Sequence, residues 1–187
     1  LFVGLIISAE EIIRDRKMWE KTKTPAFGFY SNDVKYTETY GHIYNWHAVK
    51  TGKICPTGWH VPTDKEWNDL MDYAGTSEKS GNNPAKLKEK GTTHWKSPNT
   101  GATNETGFTA LPGGGRDDTG ECGSMLIEPA GLAGSWWSSS EDLSGSTPPT
   151  PGPPTNAYNR IMKSSDAGLY AGTYPKDYGM SVRCIKN

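Results

Sequence analysis

The sequence predicts an α+β fold, and three features point there. One amphipathic helix stands out over residues 63–74. Short apolar runs bounded by Gly, Pro and Asn gather in the last third of the chain. The composition is rich in rings and turn formers: 7 Trp, 9 Tyr and 4 Phe beside 22 Gly and 13 Pro in 187 residues. Helices early and strands late within one core's length of chain read as α+β rather than as a βαβ repeat.

The elements follow in order. Leu1–Ser8 is an apolar run of strand type. Ser8 and Glu11 have capping-box spacing, and Ile12, Ile13 and Trp19 give one face to a helix that ends before Pro25. Ala26–Tyr30 reads as a strand closed by the turn Ser31-Asn32-Asp33. Ile43–Val49 reads as a half-buried extended stretch. Cys55 to Pro62 is a proline-bracketed entry to the clearest helix, where Thr63 caps with Glu66 at the third position. Trp67, Leu70, Met71 and Ala74 then recur at i, i+3, i+4 and i+7, and Gly75 closes the helix. A second helix is expected over 84–90, with Pro84 in its first turn and Gly91 after its end.

Residues 92–134 lose all periodicity. So long an irregular stretch is unusual in a folded domain, and here Phe108, Leu111 and Met125 are spaced to pin it. Strands are expected at Ser135–Ser140, Asn156–Met162, Gly168–Tyr174 and Gly179–Lys186, with Gly145–Thr155 as a Pro/Gly-rich loop that cannot hold a ladder.

Charge and cysteine content exclude several functions. The chain has 20 Lys+Arg against 21 Asp+Glu, without a basic stripe, which argues against a nucleic-acid partner. No apolar run reaches the ~18–20 residues that span a bilayer. The longest, Leu1 to Ile7, has no basic segment before it. The first residue is not Met, which reads as a processed or trimmed chain and leaves export open. Cys55, Cys122 and Cys184 form no CxxC pair, and His42, His47, His60 and His94 form no HExxH set, so no metal cofactor is expected. Asp117-Asp118 with Glu121 could serve a structural calcium, although a solvated turn explains the same acids; Glu141-Asp142 is read likewise. Asn104-Glu105-Thr106 is a glycosylation sequon of low specificity.

Six blocks occur together in a set order: Tyr40-Gly41-His42-Ile43-Tyr44-Asn45-Trp46, Cys55-Pro56-Thr57-Gly58-Trp59-His60-Val61-Pro62-Thr63, Thr92-Thr93-His94-Trp95, Gly107-Phe108-Thr109-Ala110-Leu111-Pro112-Gly113-Gly114, Trp136-Trp137-Ser138-Ser139-Ser140-Glu141 and Gly179-Met180-Ser181-Val182-Arg183-Cys184. From about Pro25 onward they resemble the Fibrobacter succinogenes major paralogous domain, a branch of the C-type lectin fold near the formylglycine-generating-enzyme type. The resemblance implies one C-type lectin-like domain over 1–187, with the N- and C-terminal strands paired. Two helices would flank a small, mostly antiparallel sheet, and long ordered loops would complete it. Within it, 1–24 would be an N-terminal strand and helix, 145–155 a loop insert and 135–187 the binding segment. Gly28 stands where some members carry Cys, and Met180 replaces a more usual Phe. Cys55 and Cys184 are the candidate disulfide pair, with free thiols as the alternative; Cys122 would stay unpaired.

The segment also resembles that of variable proteins of diversity-generating retroelements. Asn156, Ala157, Arg160, Lys176, Tyr178 and Gly179 hold the frame. Tyr158, Asn159, Ile161, Lys163, Ser165, Asp166, Gly168, Tyr170, Gly172, Thr173 and Tyr174 lie between them, a mixture without core logic. Tyr, Ser, Gly, Asn and Asp together are the residues of recognition surfaces. The resemblance therefore implies a non-enzymatic display protein. Its target would be a protein or glycan, its place extracellular, on a cell or on a virus particle, and its oligomeric state stays open. A carbohydrate-binding or adhesion domain without diversification is the alternative. An oxidase of the formylglycine-generating type would need a cysteine pair near the C-terminus, where this chain has Cys184 alone. Trp59, Trp67, Trp95, Trp136 and Trp137 read as core anchors, with Trp137 the candidate exception, and His60 as a structural residue.

Overall fold

A computed structural model describes residues 11–12, 16–75, 83–124, 127–144 and 153–187. The expected strand at Leu1–Ser8 and residues 145–152 of the loop insert lie outside them. The architecture is α+β, with short helices and small, mainly antiparallel sheets.

The first helix is shorter than its pattern predicts. Strand β1 (Glu11–Ile12) pairs parallel with β2 (Ala26–Gly28), so Glu11 and Ile12 belong to a ladder rather than to the helix. Helix α1 is Arg16–Lys21, and Ser8 and Ile13 lie outside the described residues. Trp19 is buried as expected and donates its indole N–H to the Asp177 carbonyl at 2.9 Å. A four-residue helix α2 (Thr37–Tyr40) precedes β3 (Ile43–Asn45). The extended reading of Ile43–Val49 fails after Asn45. The Asn45 carboxamide oxygen accepts from Ala48 N at 3.0 Å and caps helix α3 (Trp46–Lys50), while also accepting from Ala26 N at 3.0 Å.

β4 (Trp59–His60) leads into helix α4 (Asp64–Ala74), which begins and ends as its sequence requires. Thr63 N donates to Glu66 at 2.8 Å, and Glu66 N returns a bond to the Thr63 hydroxyl at 3.3 Å. Gly75 takes φ 91°, where any side chain would be strained. The helix expected over 84–90 is a 3-10 turn at Pro84–Leu87. It stops because Ala110 N donates to Leu87 O and Glu89 N to Ala110 O, pulling Lys88 into an extended bridge.

The described residues between 92 and 132 are pinned by buried groups more than by ladders, and the expected anchor Met125 lies outside them. Trp95 donates to Ala110 O at 2.9 Å, and the Asn99 amide bridges Glu89 O and Gly91 O. β5 (Ala133–Glu141), β6 (Asn156–Lys163) and β7 (Leu169–Pro175) then form a three-stranded sheet in that order. The expected single strand Gly179–Lys186 is broken into β8 (Gly179–Met180) and β9 (Ile185–Lys186). The chain changes partners on the way. β8 closes the sheet β1-β2-β3-β8, Ser181 bonds Ser135 and Trp137 of β5, and β9 pairs antiparallel with β4. Cys55 is joined to Cys184 with Cα atoms 5.8 Å apart, and Cys122 is free, its sulfur accepting from Ser31 N at 3.2 Å.

The two neighbouring tryptophans divide the core. Adjacent strand residues face opposite ways. Trp136 therefore packs with Trp67, Leu87, Trp95, Met162 and Leu169 beneath α4, while Trp137 joins Trp46, Val49, Val61, Tyr178 and Met180 on the other side. Trp137 is wholly buried and donates to Tyr44 O at 2.8 Å, so it is no exception to the core reading. Trp59 is the one that departs: 44% of it is exposed.

Candidate binding face

The eleven candidate residues of the β6–β7 region do not form one surface. Register sets their sides. Tyr158 lies opposite Thr173, on the side where Arg160 reaches α4. Ile161 lies opposite Tyr170, Asn159 opposite Gly172 and Ala157 opposite Tyr174, on the side away from α4. Tyr158 and Thr173 are thus separated by the sheet from Ile161, Lys163, Tyr170 and Tyr174.

Asn159 is a correction. It is 0% exposed, with its amide directed at the Met180 sulfur at 3.4 Å, and it belongs to the core. Gly168 makes room for a ring and Gly172 for a carboxamide, so neither is a contact residue. A Cβ on Gly168 would lie 2.5 Å from the Tyr170 ring. One on Gly172 would meet the Asn159 carboxamide oxygen at 3.0 Å, with the Tyr174 ring at 3.8 Å.

Three of the candidates do converge. Ile161, Lys163 and Tyr174 line a pocket of about 150 Å³ together with Ile127, Glu128, Ala133 and Ser135. Tyr170, 48% exposed, stands beside Ile161. Across the pocket Lys163 Nζ meets Glu128 Oε1 at 2.6 Å, and that hydrogen bond raises the lysine pKa above its ordinary value. A hydrogen bond to the Asp166 carboxylate likewise raises the Tyr170 hydroxyl. Ala133 and Ser135 share the Trp137 side of β5 by alternation, which their sequence could have indicated; Ile127 and Glu128 come from the aperiodic stretch, where no pattern marks them.

The turn carrying Ser165 and Asp166 is braced from below. Asp166 accepts from Gly168 N at 2.8 Å, and the wholly buried Lys88 donates to the carbonyls of Lys163 and Asp166, each at 2.9 Å. Burial pushes the Lys88 ammonium down to about 8, against a partial opposing effect of Asp166. Between that value and the ordinary lysine range the folded protein sheds a proton that the unfolded chain keeps. Stability therefore rises with pH over this window, by on the order of 1–3 kcal/mol. Denaturant unfolding at pH 7.5 and 10 should show the rise in the wild type and not in Lys88→Met. Equal pH dependence in the two proteins would contradict it.

Other candidates serve the frame. His60 bonds Glu66 at 2.9 Å and Asn187 at 2.6 Å, and its pKa is raised first by Asn187. His47 meets Asp177 and His94 meets Glu89, while burial among Phe27, Phe29 and Tyr44 lowers His42. Asp117 spends one carboxylate oxygen on the amides of Thr119 and Glu121. Among the described residues no group of three or more His, Cys, Asp or Glu could hold a metal ion. The Asn104 side chain is bound to Thr109 through both its amide and its carbonyl. No helix of the described residues is long and apolar enough to cross a membrane.

Comparison with known families matches the Fibrobacter succinogenes major domain over residues 7–186. No curated protein and no solved structure matches the chain.

Proposed function

The chain belongs to the Fibrobacter succinogenes major domain family, and on that premise we propose that it is a binding module that displays a recognition face on a C-type lectin-like frame. The face consists of Ile161, Lys163, Tyr170 and Tyr174, with Ser165 and Asp166 at its rim. The observation that carries this reading is the pocket of about 150 Å³ on which three residues from the segment without core logic converge, beside an exposed tyrosine. Such a face offers two rings, an aliphatic side chain and an ammonium–carboxylate pair, the chemistry of protein or glycan recognition. Its backbone is fixed by the β-ladder and by Lys88, so substitutions at Ile161, Lys163 and Tyr170 leave the frame intact, as diversification by a retroelement requires. Tyr174, by contrast, also packs on the core through the Tyr178 ring, 5.3 Å away, and is the anchored member of the face.

The C-type lectin-like frame is supported by the helix α4 packed on a small sheet, by loops pinned on tryptophans and by the Cys55–Cys184 bridge. The bridge also favours an oxidising, extracellular location. An oxidase is disfavoured because Cys184, its one candidate thiolate near the C-terminus, is bound to Cys55.

The test is a protein and glycan array screen followed by two variants. Ile161→Ser/Lys163→Ala/Tyr170→Ala should lose about 100-fold or more in affinity, as hot-spot residues do. Tyr158→Ala, on the far side of the sheet, should keep it. Full binding by the triple variant would sink the proposal. A near-copy of the 3′ coding end differing at adenines, beside a reverse transcriptase gene, is expected if the face is diversified; without one, that element falls.

One observation favours the second reading, a glycan-binding adhesion domain without diversification. Trp59 is 44% exposed on β4 opposite Lys186, an open ring on which a sugar could stack. Loss of glycan binding in Trp59→Ala alone would select it.

A further inference from the structure

The strand β7 is the outer edge of its sheet, and its main-chain groups point both ways. Lys176 N donates to Thr155 O at 3.0 Å, and Pro175 lies opposite Asn156. Antiparallel alternation therefore turns the amides and carbonyls of Tyr170, Gly172 and Tyr174 toward β6, and those of Ala171 and Thr173 outward. Both outward residues are exposed, and among the described residues no main-chain bond links either to a segment other than β6.

Natural sheets protect such edges with charges, bulges or proline. Leu169–Pro175 has no charged residue, its register with β6 has no shift, and its one proline comes last. It also exposes Tyr170. An edge of this kind reads as covered, and its own sequence indicates by what. Tyr170-Ala171-Gly172-Thr173-Tyr174 is nearly symmetric about Gly172.

We propose that β7 is the seam of a two-fold dimer, in which the edge strands of two copies of this chain pair antiparallel about Gly172. In that register Ala171 faces the partner's Thr173 as a hydrogen-bonded pair, which uses the groups that point outward. Gly172 meets the partner's Gly172, where the absence of side chains lets the strands close. Tyr170 stands opposite the partner's Tyr174 in a non-hydrogen-bonded pair, the closer kind, and cross-strand aromatic pairs are among the stronger ones. The seam joins the two three-stranded sheets into one continuous sheet. It places the two faces bearing Ile161 and Lys163 side by side, an arrangement that would bind a repetitive surface with avidity.

Solution mass tests this without any target, so its result is independent of whether the face binds. Light scattering across a dilution series should give a dimer for the wild type. Ala171→Lys/Thr173→Lys sets lysine opposite lysine and should weaken the dimer by about tenfold or more. Ala171→Lys/Thr173→Glu sets lysine opposite glutamate at the same two exposed positions and should restore it. A wild type that is monomeric throughout, as a strand-adding peptide partner would leave it, overturns the proposal. So does a lysine–lysine variant that dimerises like the wild type. Loss of the dimer in the lysine–glutamate variant would also overturn it, because a register centred elsewhere sets like charges together.

Discussion

Replacing both Cys55 and Cys184 by Ala is expected to lower the unfolding free energy by about 3–5 kcal/mol. The bridge closes a loop with a sequence separation of 129, nearly the whole chain from the entry of α4 to the C-terminus. In the chain-entropy account a loop of that size is near the upper end of what one disulfide contributes. Beyond the bridge, this end is held at Asn187, which bonds His60 at 2.6 Å and Gly58 O at 3.0 Å. β9 is two residues long and exposed, and it pairs only with the two residues of β4. Guanidinium unfolding of the double variant, and of the wild type with and without dithiothreitol, measures the effect. The reduced protein isolates the covalent constraint from the small loss of packing at Cys55, which is 7% exposed. Running both arms in a Cys122→Ser background prevents exchange through the free thiol. A change below about 1 kcal/mol in both would mean that β9 and the Arg183 contacts with Phe108 hold the tail unaided.

What could be read directly from the chain was what depends on neighbours in sequence. The helix from Thr63 to Gly75 has its cap, its apolar period and its stop within about a dozen residues, and each was formed as written. Asn45 carried an equally local signal, an N-cap before Trp46, but the rings and Val49 around it read as extended. The final segment departs from its pattern for a different reason. Gly179–Lys186 alternates like one strand, yet it must leave β3, cross to β5 and reach β4, and no pattern within it records three partners. The candidate face shows the limit most plainly. Alternation along β6 assigns residues to two sides, but both sides of this sheet meet packed elements at one end and solvent at the other. Asn159 and Ile161 share a side, and only the position of Met180 makes the first a core residue. The two outlying tryptophans follow the same logic: Trp137 is enclosed by a helix and strands distant in sequence, whereas Trp59 lies on a two-stranded ribbon and stays 44% exposed.

A second large effect is expected at the joint between β6 and α4. Arg160 is fully buried, with Nη1 2.7 Å from Asp64 Oδ1 and Nη2 2.6 Å from Asn68 Oδ1. Asp64 Oδ1 is the carboxylate that pairs with it, and the Asp64 side chain retains 27% exposure in the first turn of α4. The two partners are therefore unequal. Asp64→Ala leaves a guanidinium charge in the interior with only neutral acceptors and should cost about 3 kcal/mol or more. Arg160→Met leaves a carboxylate that reaches water and still complements the helix N-terminus, and its apolar replacement fills the same space, so it should cost clearly less. Asp64→Ala/Arg160→Met removes the buried charge and its partner together and should be more stable than Asp64→Ala alone. The double-mutant cycle then gives a coupling of about 1–3 kcal/mol, measured by denaturant unfolding at neutral pH. Because Arg160 lies opposite Ala171, loosening it should also weaken protection of the β7 amides from hydrogen exchange before the core of α3 is affected. Additive single costs, with Asp64→Ala no worse than Arg160→Met, would show that the guanidinium is held by Asn68 and the carbonyls without need of the acid.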